Sequence, residues 1–143
     1  MPGSPRIAVV GSAVTDLLAS YPAAVTEVAL AARKRILAAL PKAEERVHTS
    51  PRVIGYGFGP GYRGLVFTII PSRAGVKLGF VRGTELPDPR GLLQGRGRVH
   101  RHVPLKTPAD LQKPGLDDPF AAALAAWRDR SSPALPKRRG RGR

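Results

Sequence analysis

The residues able to do chemistry in this sequence gather between Tyr62 and Leu105. His100 and His102 flank Arg101, and on a strand the two imidazoles project from one face, about 6 to 7 Å apart along the chain. Neutral imidazoles so placed can ligate a metal if a third ligand joins them, for which His48 and Glu85 are the candidates. They can equally divide, one packed with a hydrogen bond and the other solvated. Tyr62, Arg63, Lys77, Arg82 and Arg101 add groups suited to gripping a small anion or a phosphate. Arg82 and Glu85 are also close enough to pair with each other in a turn, a solvated contact worth little. An anion site would need Lys77 and Arg101 to converge with Arg82. His100 or His102 could serve as a base toward Ser72 or Thr68, yet no nucleophile elbow, paired-carboxylate spacing or metal signature accompanies them. The expectation is therefore binding without catalysis, and no motif names a cofactor.

A second cluster closes the sequence. Lys137, Arg138, Arg139, Arg141 and Arg143 alternate with glycine, a pattern that displaces counterions from a nucleic-acid backbone with little sequence preference. The chain carries 24 Lys+Arg against 10 Asp+Glu, a formal charge of +14. Five of those charges lie in this tail and nine remain, so the body is basic in its own right. The partners expected are a small anionic ligand, a metal-bound species or a protein at a groove on the sheet face bearing His100 and His102, and non-specific nucleic acid through the tail.

One motif invites a different reading. Gly59-Pro60-Gly61-Tyr62-Arg63-Gly64 has the spacing of a dinucleotide fingerprint, which requires a strand before it and a helix after it to meet the pyrophosphate. The next residues are Leu65-Val66-Phe67-Thr68-Ile69-Ile70, a β-rich run, so the glycines are read as turn chemistry.

These residues need elements to hold them. Pro22 to Leu40 reads as a helix capped by Ser20 and stopped by Pro41, with Val25, Val28, Leu30, Ala32, Ile36, Leu37 and Leu40 largely on one side. Arg33, Lys34 and Arg35 load its later turns, where cations meet the negative end of the helix dipole. Strands are expected at Glu44–Ser50, Arg52–Tyr56, Leu65–Ile70, Val76–Arg82 and Val99–Leu105, with a hairpin turn over Pro71–Gly75. Leu86–Pro89 is a turn, and Arg90–Gly97 an excursion holding a helical turn at Leu92-Leu93. Thr107 caps a short helical piece through Gln112, and a stronger helix opens at Asp118-Pro119 with Phe120, Leu124 and Trp127 on one stripe.

The length allows one domain with a modest core. The division expected is a flexible or loosely packed leader over 1–19 that can hold a short helix at Ala13–Ala19, an α/β domain over 20–130 and a disordered basic tail over 131–143. With no cysteine, folding rests on packing alone, and thiolate sites are excluded. No apolar run reaches the roughly 20 residues of a membrane span, and Ile7–Ala19 is too interrupted by polar residues for a signal peptide. A cytoplasmic protein is expected.

Several linked motifs carry a family likeness: Tyr56-Gly57-Phe58-Gly59, Leu65–Pro71, Gly75-Val76-Lys77-Leu78-Gly79-Phe80, Arg82-Gly83, Glu85-Leu86-Pro87-Asp88-Pro89, Gly91-Leu92-Leu93 and His100-Arg101-His102-Val103. Together with Tyr21-Pro22 through Leu40-Pro41, they resemble the YdhG-like family of small bacterial domains of unknown function, over roughly Ser20 to Arg130. The resemblance implies an α+β fold: a two-layer α/β sandwich with an antiparallel sheet of about five strands, flanked by N- and C-terminal helices and similar in architecture to frataxin. It brings no catalytic residues. Frataxins hold iron along an acidic first-helix edge, whereas this first helix offers Glu27 against Arg33, Lys34 and Arg35.

Overall fold

The computed structural model describes residues 11–59, 64–88, 90–97 and 99–131. Five strands form one antiparallel sheet in sequence order: β1 (Glu44–Thr49), β2 (Arg52–Gly57), β3 (Leu65–Ser72), β4 (Gly75–Phe80) and β5 (Arg101–Leu105). Three helices, α1 (Ser12–Leu18), α2 (Ala23–Ala39) and α3 (Asp117–Ser131), pack on one face of it. The fold is α+β, a two-layer sandwich.

Strand alternation decides which residues meet the helices. Ile54, Tyr56, Phe67, Ile69, Leu78, Phe80, Val103 and Leu105 are buried against the helical layer. Phe120 of α3 stacks on Phe67 at 4.5 Å between centroids and meets Phe80 edge-on, so the last helix is fixed by aromatic packing. Trp127, about two turns further along α3, stacks on Phe58 at 4.3 Å.

The short helix expected within the leader at Ala13–Ala19 is present as α1, and it is not loosely attached: it buries Val14, Leu17 and Leu18 in the core. The carbonyl of Leu18 accepts from Thr26 Oγ1 and from the Tyr21 amide, which fixes the corner between α1 and α2. Residues 1–10 and 132–143, and with them most of the leader and the tail, lie outside the described residues. Ser20 does not cap α2. Pro22 stands at that position, its carbonyl accepting from Val25 and Thr26, while Ser20 Oγ accepts from Arg52 Nη1 at 2.6 Å.

Arg33, expected as a cation of the later turns, turns its side chain inward. Its Nε donates to Glu45 Oε2 at 2.6 Å, and the same oxygen accepts from Tyr56 OH at 2.6 Å. Burial, reinforced by the hydrogen bond to Glu45 and its charge, pushes the Tyr56 phenol far above its ordinary value, so it remains a donor. A carboxylate served by two donors is a satisfied interior network between α2, β1 and β2, and removing any one member would strand the others. Arg35 instead staples the second helix to the C-terminal part of the chain: it donates to Leu111 O and Asp117 Oδ1, and its guanidinium lies 4.5 Å from the Phe120 ring centroid.

The excursion after β4 contains no helical turn at Leu92-Leu93. Both amides are taken by the Asp88 carboxylate, at 2.8 and 2.9 Å, which folds the chain locally in competition with helix. The segment then returns to the edge of β5, where Gln94 and His102 exchange two backbone hydrogen bonds. Further on, Thr107 and Asp110 form the expected capping box over a 3-10 turn at Pro108–Gln112.

Candidate functional site

The sheet face away from the helices carries the polar residues. Register places Gly55, Thr68, Gly79 and His102 in one row across four strands, with Gln94 at its end. The next row carries Ile70, Lys77 and Pro104. A groove of about 400 Å³ opens over these rows. Thr68 and Gly79 form its floor. Val53 and Ile70 line the β2–β3 side, while His100, His102 and the segment 95–97 line the β5 side.

Two glycines shape it. A Cβ on Gly79 would lie 2.0 Å from Thr68 Oγ1, so only glycine lets the threonine hydroxyl lean across β4 toward His102. Gly95 holds φ +122°, and a Cβ there would sit 3.4 Å from His102 Nδ1, so the loop backbone comes down onto the imidazole because it bears no side chain. Burial, and second the charge of Lys77 on the same face, pull the His102 imidazole below its ordinary value. His102 is thus neutral near pH 7, able to donate one hydrogen bond and accept another.

The sequence-derived candidates separate in space. His100 and His102 do line one groove, although His100 precedes β5, and its Nδ1 accepts from the Arg82 amide at 3.3 Å. Lys77 lies beside His102 on the open face. Arg101 has the opposite strand parity: its Nη1 donates to His100 O at 2.8 Å and also to Gly97 O, so its guanidinium fastens the loop. Arg82 pairs with Glu85 at 3.5 Å, both largely solvated. The convergence of Lys77 and Arg101 on Arg82 that an anion site built on these three would need is therefore not formed, and an anion in this groove must be held by other groups. Tyr62 and Arg63 lie outside the described residues, as do Lys137, Arg138, Arg139, Arg141 and Arg143.

The metal expectation loses its third ligand. Among the described residues no three His, Asp or Glu side chains gather at ligating distance. His48 stands on β1, at the far edge of the sheet from β5, and Glu85 is held by Arg82. Ser72, a candidate nucleophile by residue type, is a turn residue, donating to Gly75 O and accepting from the Ala74 amide. The glycine run leads into β3, so no helix succeeds it as a dinucleotide fingerprint requires, and its residues 60–63 lie outside the described residues.

Sequence reasoning missed Arg96, Val53 and Ile70 as groove residues. The signal for the floor was present: extending the alternation that pairs Lys77 with Gly79 across to Thr68 and His102 would have shown a glycine trough between a hydroxyl and an imidazole. No family model, curated protein or solved structure matches the chain significantly.

Proposed function

We propose that this chain is a non-enzymatic binding domain of the YdhG-like type, whose sheet-face groove takes a small anionic ligand. The observation that carries this reading is the composition of the groove: two imidazoles, the segment bearing Arg96 and a threonine hydroxyl meet there, and the described lining residues include no carboxylate. Lys77 adds positive potential from the adjoining row, and within a concave, partly desolvated wall such groups act more strongly than on an open surface. The family reading is supported by the string of motifs between Tyr56 and Val103 and by the order of helices and strands. Binding without turnover is supported by the want of a catalytic signature in the sequence. The cytoplasm is the proposed setting; no helix of the described residues is long and apolar enough to cross a membrane.

Native mass spectrometry of protein purified gently from its host tests this. A retained small anion, lost from the His102→Ala variant and from His100→Ala, is the expected result. A retained ligand indifferent to both substitutions would place binding elsewhere and overturn the assignment of the groove.

A second reading, association with nucleic acid, rests on charge: nine net positive charges remain without the tail. It uses the surface and the tail, not the groove.

A further inference from the structure

The two sides of the groove differ in chemistry, and that difference narrows the ligand. On the β2–β3 side Val53 and Ile70 present half-exposed aliphatic surface. On the opposite side His102, His100 and Arg96 present nitrogen donors, with Thr68 Oγ1 leaning over Gly79 between the two walls. A hydrophilic anion such as inorganic phosphate would engage the second wall and leave the first facing water. A neutral apolar molecule would cover the first and desolvate the second without giving it a partner, which costs free energy. Only a molecule with an apolar body and an anionic group at one end satisfies both.

Size and donor number refine this. A groove of about 400 Å³ is at the small end of ligand sites and accommodates one ring or a short branched chain with its head group. The row through Thr68, Gly79 and His102 aligns a hydroxyl and an imidazole, and two such donors match the two oxygens of a carboxylate. Among the described residues neither Lys77 nor Arg96 is paired with a carboxylate of the protein, so both are available to complement the ligand's charge. We infer that the groove binds an aryl or branched-alkyl carboxylate, the head group seated over Gly79 between Thr68 and His102 and the apolar body lying against Val53 and Ile70. This inference rests on the anion-binding reading above and adds the class of anion.

The test uses the full chain and four probes: phenylacetate, its neutral counterpart 2-phenylethanol, acetate and inorganic phosphate, each titrated while amide resonances of Thr68, Gly79 and His102 are followed. Phenylacetate is expected to bind at least tenfold more tightly than the other three and to shift all three amides. Ile70→Asn is expected to weaken phenylacetate about fivefold or more while leaving any phosphate binding unchanged, and Val53→Thr, a milder change, should act in the same direction if Ile70→Asn fails to fold. Phosphate binding as tightly as phenylacetate, with no effect of either substitution, would overturn the carboxylate inference and leave the anion reading standing. Equal binding of 2-phenylethanol and phenylacetate would overturn the inference as well. No shift with any anion would remove both.

Discussion

At the scale of single residues, His102 is where geometry and titration meet. Its imidazole is pressed by the Gly95 backbone on one side and repelled by Lys77 on the other, so the protonated form is disfavoured in the free protein. A folded-state value below the unfolded 6.5 means that neutral His102 contributes stability above that pH, and that the contribution is lost as pH falls through the lowered value. A bound anion reverses the preference, because it sits against the ring and offsets the charge of Lys77. Affinity for an ionised carboxylate should therefore rise several-fold as pH is lowered from about 7.5 to about 5.5, the range over which a histidine changes charge. His100 and Arg96 face the same space. Calorimetric titration of phenylacetate across pH should give a slope that His102→Gln flattens and His100→Gln leaves largely intact. A profile unchanged in His102→Gln would remove His102 from the site.

At the scale of elements, α1 realises the short helix expected at Ala13–Ala19, although the local signals for it are weak. Gly11, Ser12, Thr15 and Asp16 break its apolar character in sequence, and a seven-residue helix has little stability of its own. Its existence depends on tertiary packing, with Val14, Leu17 and Leu18 set into the core and Leu18 O bonded to Thr26. Leu17→Ala should accordingly cost about 2–4 kcal/mol in urea unfolding, the range for a buried leucine truncation. A change within about 0.5 kcal/mol, as for a surface substitution, would mean that the segment is a loosely attached leader after all. The same contrast explains what the sequence made legible. The five strands and the C-terminal helix announce themselves through alternation, turn residues and the Asp118-Pro119 start, all of them local signals. The inward turn of Arg33, the loss of the Leu92-Leu93 helical turn to Asp88 and the release of Ser20 to Arg52 depend on partners 12, 4 to 5 and 32 residues away, respectively. Candidate site residues were found by type, and His100 and His102 do share the groove. Arg101 lines the groove with its guanidinium bonded to loop carbonyls, and Arg82 is paired with Glu85.

At the scale of the whole molecule, the helices are balanced in charge: Asp16, Glu27, Asp117, Asp118 and Asp129 stand against Arg33, Lys34, Arg35, Arg128 and Arg130. On the open sheet face Glu44 is balanced by Arg46 at 2.6 Å, leaving Lys77 and Arg96 to set the local potential. A polyanion has two sets of cations available, those of this face and the five that the sequence places at Lys137, Arg138, Arg139, Arg141 and Arg143. Binding of duplex DNA through these groups should obey counterion release, the logarithm of the affinity falling linearly with the logarithm of salt by about 0.9 per phosphate neutralised. Replacing Lys137, Arg138, Arg139, Arg141 and Arg143 by serine keeps the chain length and should reduce that slope by about 4 to 5 if all five contact phosphate. Lys77→Ser with Arg96→Ser should reduce it by about 1 to 2 more if the open face lies against the duplex, and should weaken phenylacetate in parallel. A slope unmoved by the tail substitutions would leave the tail no part in nucleic-acid binding. A slope that responds to the tail alone would separate the two surfaces, the groove reserved for its small ligand and the terminal cations for the polyanion.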